Sequence, residues 1–280
     1  MIVQHNMQAI NTNRQLGITT GNLSKSTEKL SSGYRINRAS DDAAGLAISE
    51  KMRGQIRGLE QASRNAADGI SLIQTAEGAL NEIHSIVQRM RELTVQAAND
   101  TNVTKDRQAI AAEIYALTSE ITRIGEETEF NTMKLLDGSF DGKKLQVGAN
   151  EAQQISITIV SMTAAGIGLT DDVVGSVIYA ADNTNDADEI TAILSLMDKA
   201  LEAVSTQRSA LGAIQNRLEH TIANADNVAE NLTASESRIR DVDMAEEMVQ
   251  FSKNNILQQA GQSMLAQANQ STQGVLSLLQ

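Results

Sequence analysis

Leu30–Ile48 reads LSSGYRINRASDDAAGLAI, and the architecture turns on how it is parsed. Ser31-Ser32-Gly33 offers a break, because glycine accepts backbone angles that other residues avoid. Ser40-Asp41-Asp42 reads as a helix start with carboxylates on the first turn, where the helix dipole favours them. The stretch is therefore a joint between a short basic helical segment upstream and a very long helix that begins at about Ala43. Upstream, Ile2, Ala9, Leu16, Leu23 and Leu30 recur every seven residues, with Thr20 and Thr27 between them, the mark of a coiled-coil face. The seam is thin and an isolated helix of this kind is marginal in water, so it is expected to order only when a partner covers it. The competing reading is an amphipathic helix docked permanently on its own domain.

Downstream, Met52, Ile56, Leu59, Ala66, Ile70, Ile73, Leu80, Ile83, Val87 and Met90 follow spacings suited to a helix, with Ser63 and Glu77 interrupting. From Ala43 to Asn99 such a helix would run roughly 85 Å and must be covered by others. Its interior glycines, Gly45, Gly54, Gly58, Gly69 and Gly78, are expected to permit close approach, at up to ~1 kcal/mol each relative to alanine. Residues 99–102 read as a turn, Thr104 as the N-cap of a second helix lying antiparallel on the first, and Ile110, Ile114, Leu117, Ile121 and Ile124 as its seam. Glu113 and Glu120 fall off that seam. Lys144–Val147 and Ile155–Ile159 alternate with period two and predict a β-hairpin with a longer loop. Between 161 and 185 periodicity fails, which marks a connector.

From Asp186 a seam of Ile190, Leu194, Met197, Leu201, Val204, Arg208, Leu211, Gln215, Leu218, Ile222, Ala225, Ala229, Leu232, Glu236 and Ile239 predicts a third rod, with its polar members fixing register. The phase slips at Asp241–Asp243, and a last helix follows. After Lys253 no charged side chain remains, and loss of charge is a property of surfaces buried in an interface. The fold class is thus mainly α: a long antiparallel helical bundle or coiled coil with a small β-hairpin, flanked by N- and C-terminal helices. The expected pieces are 1–42, an end helix and joint; 43–160, two helices and the hairpin; 161–185, the connector; 186–240, a rod helix; and 241–280, the C-terminal helix.

Composition agrees. In 280 residues there is no tryptophan, proline or cysteine, and aromatic residues make up 2%. Proline-free, aliphatic sequence suits helical rods. The lack of cysteine excludes disulfides, thiolate catalysis and Cys-ligated zinc, and leaves nothing covalent to stop an unfolded chain threading a channel. A net charge of −12 argues against nucleic acid as a partner. Residues 1–40 carry Arg14, Lys25, Lys29, Arg35 and Arg38 against Glu28, whereas the last forty carry Asp241, Asp243, Glu246 and Glu247 against Lys253, so the ends are complementary. Such charges set orientation more than affinity. The first residues lack the basic and apolar regions of a secretory signal, and no stretch has the length of a membrane span. Either a cytosolic protein or one exported by another kind of signal would look this way.

Four blocks, SSGYRINRASDDAAGLAI (31–48), QRSALGAIQNRLEHTIAN (207–224), SRIRDVDMAEEMVQFSKNNILQQAGQSMLAQANQ (237–270) and VLSLL (275–279), resemble bacterial flagellin in the right order over essentially the whole chain. Thr272 departs from the proline common before Gln273 in that family. The resemblance implies a short filament subunit lacking outer variable domains, serving swimming motility in the extracellular flagellum. Its ends would pair as helices in the filament core. It further implies unfolded export by the flagellar type III apparatus, a chaperone gripping the C-terminal segment, and contact with filament cap and junction proteins. The polymerisation residues expected are Ile2, Leu16, Leu23, Leu30, Val249, Ile256, Met264, Leu265, Val275 and Leu276. By the same resemblance, Arg89, Leu93 and Glu113, with Gln88 and Gln96, would engage Toll-like receptor five, although packing against the next subunit would also account for that surface. The alternatives are a hook–filament junction protein, a generic coiled-coil scaffold, and an enzyme. The last is disfavoured because His5, His84 and His220 are far apart, with no HExxH and no phosphate loop. No catalytic, metal or cofactor residue is expected.

Overall fold

A computed structural model of the chain describes residues 6–99, 101–170 and 187–277, except for side chains at 187–192 and 272–277. Five helices carry the described fold: α1 (Met7–Ser32), α2 (Ala43–Ala97), α3 (Thr104–Glu127), α4 (Ala187–Arg240) and α5 (Met244–Ser277). Two small antiparallel ladders accompany them: β1 (Glu129–Phe130) with β2 (Met133–Lys134), and β3 (Lys143–Gln146) with β4 (Gln154–Ile157). The chain divides into two units, residues 1–56 with 230–280, and residues 57–229.

Local chemistry explains the helix ends. Gly33 closes α1 with φ 75°, its N–H donating to the Lys29 carbonyl at 2.9 Å, so the break falls where glycine alone is unstrained. Asp42 precedes α2 and accepts from the Gly45 N–H at 2.8 Å, which corrects its placement on the first turn: it is the cap. Asp41 turns back, accepting from the N–H groups of Arg38 and Asn37, and these bonds, Arg38's foremost, hold its carboxyl below the ordinary range. Thr104 is the first residue of α3, not its cap; Val103 holds that position, and its N–H donates to the Asp106 carboxylate at 3.3 Å. Asp243 caps α5 through the N–H groups of Ala245 and Glu246, and Glu246 and Glu247 occupy the first turn, where their charge suits the dipole.

In the 57–229 unit the core runs along α2, α3 and α4. Ile73, Leu80, Ile83, Val87 and Met90 of α2 are buried with Ile114 and Ile121 of α3. The α4 face is wider than the predicted seam. Met197, Val204, Leu211 and Leu218 are buried as expected, but Ile193, Ala200 and Gln207 turn inward, while Leu194, Leu201, Arg208 and Gln215 lie at the rim. A helix covered from more than one side buries a broader stripe than a two-stranded seam. Gln207 Nε2 donates to the Thr158 carbonyl at 3.2 Å, and Arg208 reaches Glu77 at 3.7 Å, so the polar interruptions of two seams meet each other.

The hairpin packs on α2 through two glycines. A Cβ at Gly58 would stand 2.8 Å from the Ala149 Cβ, and one at Gly69 would strike Leu145. Gly54 and Gly78 have open space, so close approach does not explain them. Pairing runs Lys143↔Ile157 to Gln146↔Gln154, with Ile155 and Ile157 facing the core. The β1–β2 ladder turns on Asn131 and Thr132, both at positive φ. Residues 161–170 are not free connector: Met162, Ala164, Ile167 and Leu169 are buried, and the Met162 N–H donates to the Leu136 carbonyl at 2.8 Å. The rest of the expected connector, 171–185, and the seam side chain of Ile190 lie outside the described residues.

In the other unit, α1 and α5 lie antiparallel. Asn6 donates to the Ala268 carbonyl at 2.9 Å, Leu16 packs at Gly261, and Lys29 meets Glu247 at 3.6 Å. Beyond them the two joints clasp. The Arg35 N–H donates to the Arg240 carbonyl at 2.7 Å, the Val242 N–H donates to the Gly33 carbonyl at 3.0 Å, and Tyr34 bridges Asp241. The Arg240 guanidinium stacks 5.0 Å over the Tyr34 ring and pairs with Glu50 at 2.6 Å, while Arg53 pairs with Glu236 at 2.9 Å. Glu236, expected to fix register as a polar member of its seam, is an ion-pair partner of Arg53.

Candidate assembly surface

The α1–α5 pair presents two kinds of apolar side chain. On the facing sides, Leu16, Leu23 and Leu30 of α1 and Leu265 of α5 are half-buried. On the other sides Met7, Ile10 and Ile18 of α1 and Met244, Met248, Val249, Ile256, Leu257 and Met264 of α5 are exposed, Val249 and Ile256 to about two thirds. The predicted assembly residues thus divide. Leu16, Leu23, Leu30 and Leu265 serve first the contact within the chain, because a heptad stripe faces the nearest helix. Val249, Ile256 and Met264 remain open. Ile2 and the side chains of Val275 and Leu276 lie outside the described residues. Met7, Ile10, Ile18, Met244, Met248 and Leu257 were missed by the heptad reading, yet their signal is in the sequence: apolar residues on more than one side of a helix imply more than one neighbour.

Burial of a side chain such as Val249 or Ile256 contributes about 1.5–3 kcal/mol. Several such groups on two helices make a surface that gains by being covered. After Lys253, around Ile256, Leu257 and Met264, the polar residues of α5 are Gln, Asn and Ser rather than ions, so covering that part of the helix carries no charge-desolvation penalty of its own.

The comparisons with known proteins decide the family. The model of the bacterial flagellin N-terminal helical region matches residues 3–141, and that of the bacterial flagellin C-terminal helical region matches residues 194–279. The chain belongs to the bacterial flagellins. It is 56% identical over 279 residues to the flagellin of Halalkalibacterium halodurans and 55% identical over 304 residues to that of Bacillus subtilis, each alignment covering all of both chains. A solved flagellar hook-associated protein from Vibrio parahaemolyticus aligns with a TM-score of 0.63 over 72% of this chain and all of its own, at 15% identity, which shows a shared fold alone. As a flagellin the chain is a subunit of the extracellular flagellar filament and polymerises with copies of itself.

The second expected site of this flagellin lies on α2 and α3. Arg89, Gln88, Gln96 and Glu113 are exposed. Arg89 donates to Glu113 through Nη2 at 2.9 Å and Nε at 3.1 Å, and meets Glu92 at 3.3 Å; Glu113, then Glu92, hold the guanidinium more firmly protonated than usual. Leu93 is a correction. It is 2% exposed, because the helical turn sets it between buried Met90 and Ala97, and it is core beneath the patch rather than a surface anchor. Among the described residues no three His, Cys, Asp or Glu side chains are placed to hold a metal ion, and no helix is long and apolar enough to cross a membrane. His84 lies beside Gln88, 3.0 Å from its amide nitrogen.

Proposed function

We propose that the open faces of α1 and α5 are the contacts by which this flagellin is built into its filament, the paired ends forming the filament core and the 43–170 and 186–240 segments the surrounding rod, with 171–185 as connector. The subunit travels unfolded through the flagellar type III apparatus. A chaperone grips α5 on the way, and the chain adds beneath the cap on a base of junction proteins. It has no catalytic role. One observation carries this reading: each end helix covers only one side of the other, and Met7, Ile10, Ile18, Val249, Ile256 and Met264 are left open on a pair nearly free of charge beyond Lys253. The Arg89–Glu113 patch is further proposed as a surface for Toll-like receptor five, on its exposure and its paired charges.

The test is seeded growth of chains lacking 7–32 or 244–277, followed by electron microscopy. Neither is expected to extend seeds at concentrations where the full chain forms long filaments. Filaments from either trimmed chain would refute the reading. A full chain that stops after one layer would instead be a junction protein.

A further inference from the structure

With no cysteine or tryptophan in the chain, its methionines are the side chains most open to a mild two-electron oxidant. They are unevenly placed. Met90, Met162 and Met197 are at most 2% exposed in the core of the 57–229 unit, where Met133 on β2 is the exception at 41%, whereas Met7, Met244, Met248 and Met264 on α1 and α5 are between 49% and 67% exposed. We propose that these four form an oxidant-sensitive modification site: hydrogen peroxide converts them to sulfoxides in the unassembled subunit and so blocks its incorporation, while incorporation shields the same sulfurs. The inference rests on the assembly reading above.

The step balances without another reactant. The thioether sulfur attacks one peroxide oxygen, the S–O bond forms as the O–O bond breaks, the sulfur loses two electrons, and the proton on the attacked oxygen passes to the departing hydroxide, which leaves as water. The product replaces an apolar, adaptable side chain with a strong hydrogen-bond acceptor. No side-chain donor lies between Met244 and Met248, whereas Asn11 and Arg14 stand beside Met7. Met244 and Met248 lie one turn apart on one side of α5, and the charged residues between them are Glu246 and Glu247, which accept only. Burying an unpaired acceptor there opposes the apolar gain that drives assembly.

Monomer and filament are treated with hydrogen peroxide in parallel, the sulfoxides are mapped by peptide mass spectrometry, and seeded growth of the treated monomer is followed. Oxidation is expected at Met7, Met244, Met248 and Met264 in monomer, much more slowly in filament, and not at Met90, Met162 or Met197. The critical concentration should rise by roughly tenfold or more. Reduction by a pair of methionine sulfoxide reductases with dithiothreitol should restore it, and a chain with all four changed to leucine, whatever its own critical concentration, should show no further rise on peroxide treatment. Oxidised monomer that grows as untreated monomer does, or a leucine chain that loses growth equally, overturns the proposal. If the leucine chain fails to fold, the reductase arm decides on the native protein. Equal oxidation rates in monomer and filament would refute the buried-surface reading itself.

Discussion

Arg89 and Leu93 stand one turn apart on α2 and belong to different parts of the molecule. Arg89 extends along the rim to Glu113, and Leu93 points into the core. Their substitutions therefore separate two effects. Leu93→Ala opens a cavity and should lower stability by about 2–5 kcal/mol. Arg89→Ala removes an exposed pair and should change the melting temperature little, while lowering output from a reporter cell expressing Toll-like receptor five. Thermal unfolding by circular dichroism and the reporter assay check both; a receptor response indifferent to Arg89→Ala would remove that patch from the proposal. A similar split holds for glycines. Sequence treats Gly58 and Gly78 alike, but only Gly58 has a neighbour, Ala149, that a side chain would displace.

At the scale of elements, the ends of α1 and α5 depend on few groups. Asn6 accepts from the Ala9 N–H at 3.0 Å and donates to the Ala268 carbonyl, so one side chain caps α1 and ties it to α5. Asn6→Ala should cost about 1 kcal/mol locally and speed amide hydrogen exchange over the first turns of α1 relative to α2. Even in the native monomer, amides of both end helices are expected to exchange far faster than those of α2 near Ile83, because they lack the covering copies. Protection equal to that of α2 would contradict the expectation that the ends order on assembly.

The helices and the hairpin were legible because apolar period announces them. The Gly33 break and the start at Ala43 were legible because turn and cap chemistry is local. The β1–β2 ladder was not, since two-residue strands have no period, and neither was the packing of Met162, Ala164, Ile167 and Leu169 in irregular chain. For the proposed assembly surface, the heptads of α1 identified the side facing α5, and Val249, Ile256 and Met264 of α5 were expected and are open, whereas Met7, Ile10 and Ile18 escaped because a seven-residue template asks for a single partner.

For the whole molecule, the large buried cluster, from Ala66 to Leu218, falls within one unit of continuous chain. A fragment of residues 57–229 should therefore fold alone and melt in one cooperative transition near the midpoint of the full-length chain, as calorimetry would record; a fragment that is unfolded would show that the ends are needed for that core. The clasp of Gly33 and Arg35 against Val242 and Arg240 has its own consequence. It gives both end helices a common zero mark. Without it, a coiled pair can creep by a heptad, about 10 Å along the axis, and still match leucine to leucine. In an object made of many copies of one chain such creep would offset every stripe from its neighbour's, whereas a fixed datum in each copy lets the lattice repeat true.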